Sequence, residues 1–341
     1  MIDFGGWEMP VHYTSIIKEH KAVRNTAGLF DVSHMGELKV SGKDALGNLQ
    51  NILTNNIKDL SIGQAAYTLM CNFEGGIKDD FLVYRIEDQE YLLIVNAANI
   101  RKDFNWIKDN LSGEVTLKNL SAEYGLLALQ GPNSEKIMKK LTEIDLSKIK
   151  YFRFVSDKVA ETESIISRTG YTGESGFELY CDANDLVSLW DEIMKVGEDF
   201  DLKPAGLGAR NTLRLEKKLC LYGNDIDETT NPLQAGLNFA VDFSKDNFIG
   251  KEKIMDVKKN GPDKKLIGFK LIDRGIPRHG YNIRKNGKKI GEVTSGSFSP
   301  SLNENIGLGY IDIEEVKLGN EINIIIRKRK VKAKIVQTPF L

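Results

Sequence analysis

Two stretches of this 341-residue chain follow one plan, and that plan limits the folds open to it. LKVSGKDALGNLQNIL (Leu38 to Leu53) is a short strand, a Gly, an Asp at a helix cap, then a helical apolar pattern. LALQGPNSEKIMKKL (Leu127 to Leu141) repeats the order with Asn133 at the cap. A second pair echoes in the same way: YLLIVNAANIRKDFNWIKDNL (Tyr91 to Leu111) and FELYCDANDLVSLWDEIMKVG (Phe177 to Gly197) each run strand, Asn/Asp-Ala step, then a helix carrying a Trp. Hairpin-like sequence lies between the paired elements of each copy. The order reads as two related α+β units of split β-α-β type, over 1–120 and 121–262. From about Asp263 the grammar changes. Short β-type runs (Lys265 to Leu271, Lys289 to Thr294, Ile306 to Ile311, Glu321 to Arg327, Val331 to Gln337) alternate with Gly/Asn/Pro turns, and helical patterns disappear. An all-β barrel or sandwich over 263–341 follows, and the expected fold class is α+β.

Composition narrows the functional classes. Apolar residues at 41% and charged residues at 28% are ordinary for a globular chain. Lys and Arg (47) nearly balance Asp and Glu (48), for a net charge of −1, so the basic surplus of a nucleic-acid binder is missing. No apolar run is long enough to span a bilayer, and Met1 leads into DFGGWEMP with no signal segment, which points to a cytoplasmic chain, or to a processed one of the mitochondrial matrix, without membrane contact. Cys71, Cys181 and Cys220 are odd in number and lack CxxC spacing, so they read as buried free thiols. His12, His20, His34 and His279 show no ligand spacing, which argues against a metal site.

CNFEGGIKDDFLVYR (Cys71 to Arg85) sets Asp79 and Asp80 side by side where an apolar strand begins, although Asp is depleted in strands and adjacent like charges repel. Alternation sends the two side chains to opposite faces, so only one can enter a pocket. With Gly75-Gly76 as a two-residue hairpin loop, Cys71 opposes Asp80, Leu69 opposes Leu82 and Tyr67 opposes Tyr84. Asp80 then sits on an apolar and aromatic face. There a carboxylate either takes up a proton more readily or finds a donor on a ligand; a strand-end Asp that caps turn amides is the plainer alternative.

Three further stretches carry candidate chemistry. RTGYTGESGFELY (Arg168 to Tyr180) spaces Gly170, Gly173 and Gly176 evenly beside Tyr171 and Glu178. It lacks GK[ST] and runs into a strand, so it is neither a Walker A loop nor a Rossmann fingerprint. Its glycines allow close approach of a ligand or of another chain segment. LGARNTLRLEKKLCLYGND (Leu207 to Asp225) reads as a helix from Gly208 closed by Gly223. Arg210 lies in its first turn, where the dipole disfavours cations, and a carboxylate such as Glu178 or one on a ligand would be its partner. Arg214 and Lys217 follow on the same side, and a solvated cationic face formed by the three is the plainer alternative. RKRKVKAK (Arg327 to Lys334) is a cationic hairpin, solvated or a docking edge for an acidic protein.

DFGGWEMPVHY (Asp3 to Tyr13), FDVSHMGE (Phe30 to Glu37), GGIKDDFLVY (Gly75 to Tyr84), RTGYTGESGFEL (Arg168 to Leu179), GLGARNTLRLE (Gly206 to Glu216), LCLYGNDIDETTNP (Leu219 to Pro232), FIGKE (Phe248 to Glu252) and TSGSFSPSLNENIGLGY (Thr294 to Tyr310) together resemble the aminomethyltransferase, or T-protein, family of the glycine cleavage system. The resemblance implies three domains around a central folate channel, the last a β-barrel. It also implies a transferase that takes an aminomethyl group from the lipoyl arm of H-protein, releases ammonia and forms 5,10-methylenetetrahydrofolate, with tetrahydrofolate as co-substrate. Carried over by motif, the catalytic Asp falls on Asp80. Met35, Tyr67, Tyr84, Asn96 and Tyr171 line the pterin site, Glu178 and Arg210 contact the folate, and Arg278 in GIPRHGY lies near the H-protein face. Two departures from the family, the absence of a short segment before DFGGW and the stop just after Phe340, imply weaker folate binding. Other readings are a folate-dependent demethylase and a non-catalytic folate protein that assists iron-sulfur proteins. The latter carries KGCYxGQE, where this chain has KKLCLYGNDID (Lys217 to Asp227).

Overall fold

The repeated grammar folds as a repeated strand order. The computed structural model describes all 341 residues. The chain opens with a small hairpin, β1 (Ile2–Phe4) and β2 (Trp7–Met9), then α1 (Ile16–Asn25) and β3 (Ala27–Asp31). The first copy follows as β4 (Gly36–Ser41), α2 (Ala45–Ile52), β5 (Gln64–Cys71), β6 (Ile77–Glu87), β7 (Glu90–Val95), α3 (Ile100–Asp109) and β8 (Thr116–Asn119). The second is β9 (Tyr124–Gln130), α4 (Ser134–Met138), β10 (Phe154–Val159), β11 (Thr162–Ser167), β12 (Gly176–Asp182), α5 (Leu186–Gly197) and β13 (Leu202–Pro204). One sheet has the order β5-β6-β7-β4-β8 and the other β10-β11-β12-β9-β3-β13. The copies match strand for strand except that β3 is inserted between β9 and β13, antiparallel to the first and parallel to the second.

Side-chain parity explains how the second sheet is covered. Leu127, Leu129, Phe177 and Leu179 point to one face and pack with Ile137 and Met138 of α4 and Leu189 and Ile193 of α5. Their neighbours Glu178 and Tyr180 point to the other face, which leaves polar side chains buried away from the helices. Asp44 and Asn133 do occupy the N-cap positions of α2 and α4, but neither side chain caps. Asp44 accepts the Glu114 backbone N–H (2.7 Å), and the Asn133 amide donates to the Phe200 carbonyl (3.3 Å), so each ties its helix to a later loop instead.

By residue contacts the chain divides into two compact units, Met1–Thr68 with Asp79–Arg210, and Leu69–Lys78 with Asn211–Leu341. In the second unit α6 (Leu207–Glu216, begun in the first), α7 (Pro232–Ala235) and α8 (Lys251–Asn260) precede β14 (Lys264–Leu271), β15 (Asn282–Lys285), β16 (Lys288–Ser299), β17 (Glu304–Asp312), β18 (Glu321–Ile326) and β19 (Arg329–Val336). These six strands close as β14-β17-β16-β15-β18-β19, which removes every sheet edge. Val331, Ala333 and Ile335 point inward, while Lys330, Lys332 and Lys334 point out to solvent.

Three expectations need correction. The hairpin between β5 and β6 has a three-residue loop, Phe73 to Gly75: the Gly75 N–H donates to the Asn72 carbonyl (3.0 Å) and the Asn72 N–H to the Gly76 carbonyl (2.8 Å). Gly75, at φ +77°, supplies the left-handed residue that such a loop needs, so the closing pair is Asn72 and Gly76 and not Glu74 and Ile77. Helix α6 ends at Glu216, well before Gly223, because the chain turns at Lys218 with φ +55°. Arg214 is no solvated cation. It is 2% exposed and ion-paired to Asp225 at 2.5 Å.

Candidate active site

Asp79 and Asp80 separate as alternation requires, and their fates differ. Asp79 is fully buried and accepts three N–H groups: the Asn96 backbone (3.1 Å, Oδ2), the Asn96 amide (2.8 Å, Oδ1) and the Asn99 amide (2.7 Å, Oδ1). Asp80 is half-buried. It accepts the Tyr67 hydroxyl on Oδ2 (2.9 Å) and the Asn96 amide on Oδ1 (3.2 Å). Burial first, and the Asp79 charge second, push the Asp80 carboxyl up to about 7, while the Tyr67 and Asn96 hydrogen bonds pull it back. Tyr67 therefore meets Asp80 as expected, although the loop length behind that expectation was different.

Leu82 and Tyr84 follow Asp80 on the same face of β6. The Tyr84 ring is fully buried, and its hydroxyl lies 3.1 and 3.0 Å from those of Ser167 and Tyr180 on the second sheet and 3.2 Å from that of Thr169 in the loop after β11. Thr169 in turn donates to Oε2 of Glu178, and the structure gives Oε1 no hydrogen bond. Burial raises Glu178, while Thr169 and the Arg210 charge lower it. The Arg210 guanidinium lies 4.7 Å from the Tyr171 ring centroid, a cation-π contact. Arg210 thus answers to an aromatic face and to the field of Glu178.

Met35 is half-buried between two groups that sequence reasoning missed. His34 and Glu37 are both about 1% exposed, and both carry an unpartnered atom, His34 Nδ1 and Glu37 Oε2. Burial drives His34 down to about 3, aided by the Arg210 charge, and Glu37 up to about 9, so both are neutral at pH 7. Register would have found Glu37: it opposes Ile94, which opposes Leu82, placing it on the Asp80 face. The glycines of RTGYTGESGFEL serve a chain segment. A Cβ on Gly170 would stand 2.0 Å from Oε1 of Gln130, whose amide donates to the Thr169 carbonyl (3.1 Å). Arg278, in the other unit, is exposed and donates to the Gly296 carbonyl (3.2 Å). Cys71, Cys181 and Cys220 are buried and form no disulfide, and no helix is long and apolar enough to cross a membrane.

Residues 1–245 match the GCVT N-terminal domain family, and residues 264–341 match the glycine cleavage T-protein C-terminal barrel domain. The chain is 54% identical to an aminomethyltransferase of Halothermothrix orenii, over all of this chain and 96% of that protein. It is 49% identical to the aminomethyltransferase of Bacillus subtilis, over 99% of this chain and 94% of that one. The crystal structure of glycine cleavage system aminomethyltransferase T from Bartonella henselae matches with a TM-score of 0.93 at 32% identity, covering 99% of this chain and 93% of that chain. A two-sheet α+β part and a closed barrel, matched end to end, define an aminomethyl-transferring enzyme. The chain belongs to the glycine cleavage T-protein family, and its activity is that of an aminomethyltransferase.

Proposed function

We propose that this aminomethyltransferase moves the one-carbon unit from the lipoyl arm of H-protein to tetrahydrofolate, releasing ammonia and forming 5,10-methylenetetrahydrofolate in a bacterial cytoplasm. The carbon leaves both sulfur and nitrogen and joins two folate nitrogens, whose protons pass to the freed thiol and to ammonia. Positive charge develops on the carbon as ammonia departs. Asp80 is the group for that step: a half-buried carboxyl balanced near neutrality can stabilise the charge when ionised and can exchange a proton at physiological pH. The observation that carries the proposal is geometric: the half-buried Asp80 carboxyl is held on one oxygen by the Tyr67 hydroxyl and on the other by the Asn96 amide.

Tetrahydrofolate suits the donor set. A pterin presents adjacent N–H donors, and Glu178, anchored through Oε2 with Oε1 unspent, is a matching acceptor. Met35, Tyr67, Tyr84, Asn96 and Tyr171 would line the pterin, Arg210 beside Tyr171 would contact the folate, and Arg278 would face H-protein. As a working division, 1–120 supplies Asp80, 121–262 supplies Glu178, and 263–341 supplies the Arg278 face.

The test is tetrahydrofolate-dependent ammonia release from aminomethyl-loaded H-protein, run beside a methyl sulfonium. Turnover of the sulfonium alone would make the chain a demethylase and overturn the proposal. Two variants refine it. Tyr67→Phe deletes a hydrogen bond that favours ionised Asp80, so the acid limb of the kcat/KM profile should move to higher pH. Thr169→Val leaves Glu178 unanchored and should raise the tetrahydrofolate KM about tenfold, with kcat little changed; an unchanged KM would release Glu178 from the folate role.

A further inference from the structure

The Asn96 carboxamide bridges the two neighbouring carboxyls. Its nitrogen donates to Asp79 Oδ1 (2.8 Å), to the Asp80 carbonyl (3.0 Å) and to Asp80 Oδ1 (3.2 Å). With two protons for three acceptors the amide is shared, and its rotation is fixed from the Asp79 side, where the Asn96 backbone N–H is held as well. Asn99 adds a second amide to Asp79, so the anchor is itself anchored at the start of α3.

We propose that Asp79 is a positioning residue of the transfer reaction: acting through Asn96, it orients the carboxyl of Asp80 toward its reacting partner. Its negative charge has a second effect on the same neighbour. The groups that face Asp80 are the Tyr67 hydroxyl from β5, the Asn96 amide at the end of β7 and Asp79 on β6, and among these Asp79 alone brings a charge. The adjacent charge makes ionisation of Asp80 harder, and with burial it holds that carboxyl near neutrality. The like-charge pair that looks costly in a strand is on this view a device: one carboxyl fixes and biases, the other reacts. A capping role alone would leave the second effect without consequence.

This inference rests on the reading of Asp80 above, and the experiment keeps the two apart. The pH profile of kcat/KM for tetrahydrofolate-dependent ammonia release is compared in the parent enzyme, Asp79→Asn, Asn96→Ala and Asp80→Asn, with the unfolding midpoint of each. For Asp79→Asn the acid limb should move to lower pH by about one to two units, because the opposing charge is gone, and kcat should fall. Asn96→Ala keeps the charge and breaks the bridge, so its limb should move to higher pH while kcat falls; it serves if Asp79→Asn does not fold. A limb unmoved in Asp79→Asn, with a lowered unfolding midpoint only, would make Asp79 purely structural, as would an Asn96→Ala enzyme with parental profile and kcat. Full activity in Asp80→Asn would instead remove the reading on which the inference rests.

Discussion

Asp80→Asn should lower ammonia release about a hundredfold to ten-thousandfold while raising the unfolding midpoint at pH 8. The activity loss follows from the chemistry: an amide of the same shape keeps the Tyr67 contact but neither balances positive charge nor exchanges a proton. The gain in stability follows from linkage. A carboxyl whose folded value, about 7, lies above its unfolded value opposes folding once pH exceeds the unfolded value, and that opposition is complete above the folded one. The variant, uncharged throughout, should therefore exceed the parent by most at pH 8, by less at pH 6, and by nothing near pH 4. Function held at a cost in stability is the expected mark of such a group. Thermal unfolding of both proteins at the three pH values, beside the ammonia assay, checks it. Equal midpoints at pH 8 would mean that Asp80 bears no burial cost, and near-parental turnover would remove it from the chemistry.

Local rules made the architecture legible where each element obeys its own period. Strand, turn and helix grammar exposed the duplication, and alternation along β6 alone separated Asp79 from Asp80. What failed depended on partners distant in the chain. Nothing in AGLFD says that β3 will enter the sheet of the second copy, because its parallel partner Leu202–Pro204 lies some 170 residues on. Loop length at Phe73–Gly75 is hidden because two adjacent glycines imitate a two-residue turn, while the left-handed position is Gly75 alone. Thr169 and Tyr180 are silent in the sequence because a hydroxyl has no signature for a buried network; only the meeting of the two sheets supplies Tyr84 as their partner. The burial of Arg214 is not legible in the sequence because helical spacing reports a face and not what covers it.

That last residue carries the second large effect. Within the second unit, the Arg214 guanidinium donates to Asp225 Oδ2 (2.5 Å), the Leu219 carbonyl (3.2 Å), Ser295 Oγ (2.8 Å) and Asn211 Oδ1 (2.8 and 3.0 Å). Asp225 is fully buried and also accepts the Thr294 hydroxyl and the Leu221 N–H, so both charges are fully engaged. A buried pair gains little over an apolar pair of equal volume, yet losing one partner strands a charge out of water. Asp225→Ala should therefore destabilise by about 3–5 kcal/mol, lowering the unfolding midpoint by roughly 10 °C. Arg214→Met should cost a similar amount, since it strands Asp225 instead. The double variant should cost much less than the sum, because the two single losses share one cause. Thermal unfolding of the four proteins closes that cycle. Additive losses would mean that the hydrogen bonds to Ser295 and Thr294, and not the ion pair, hold α6 and the loop after it to the barrel strand β16.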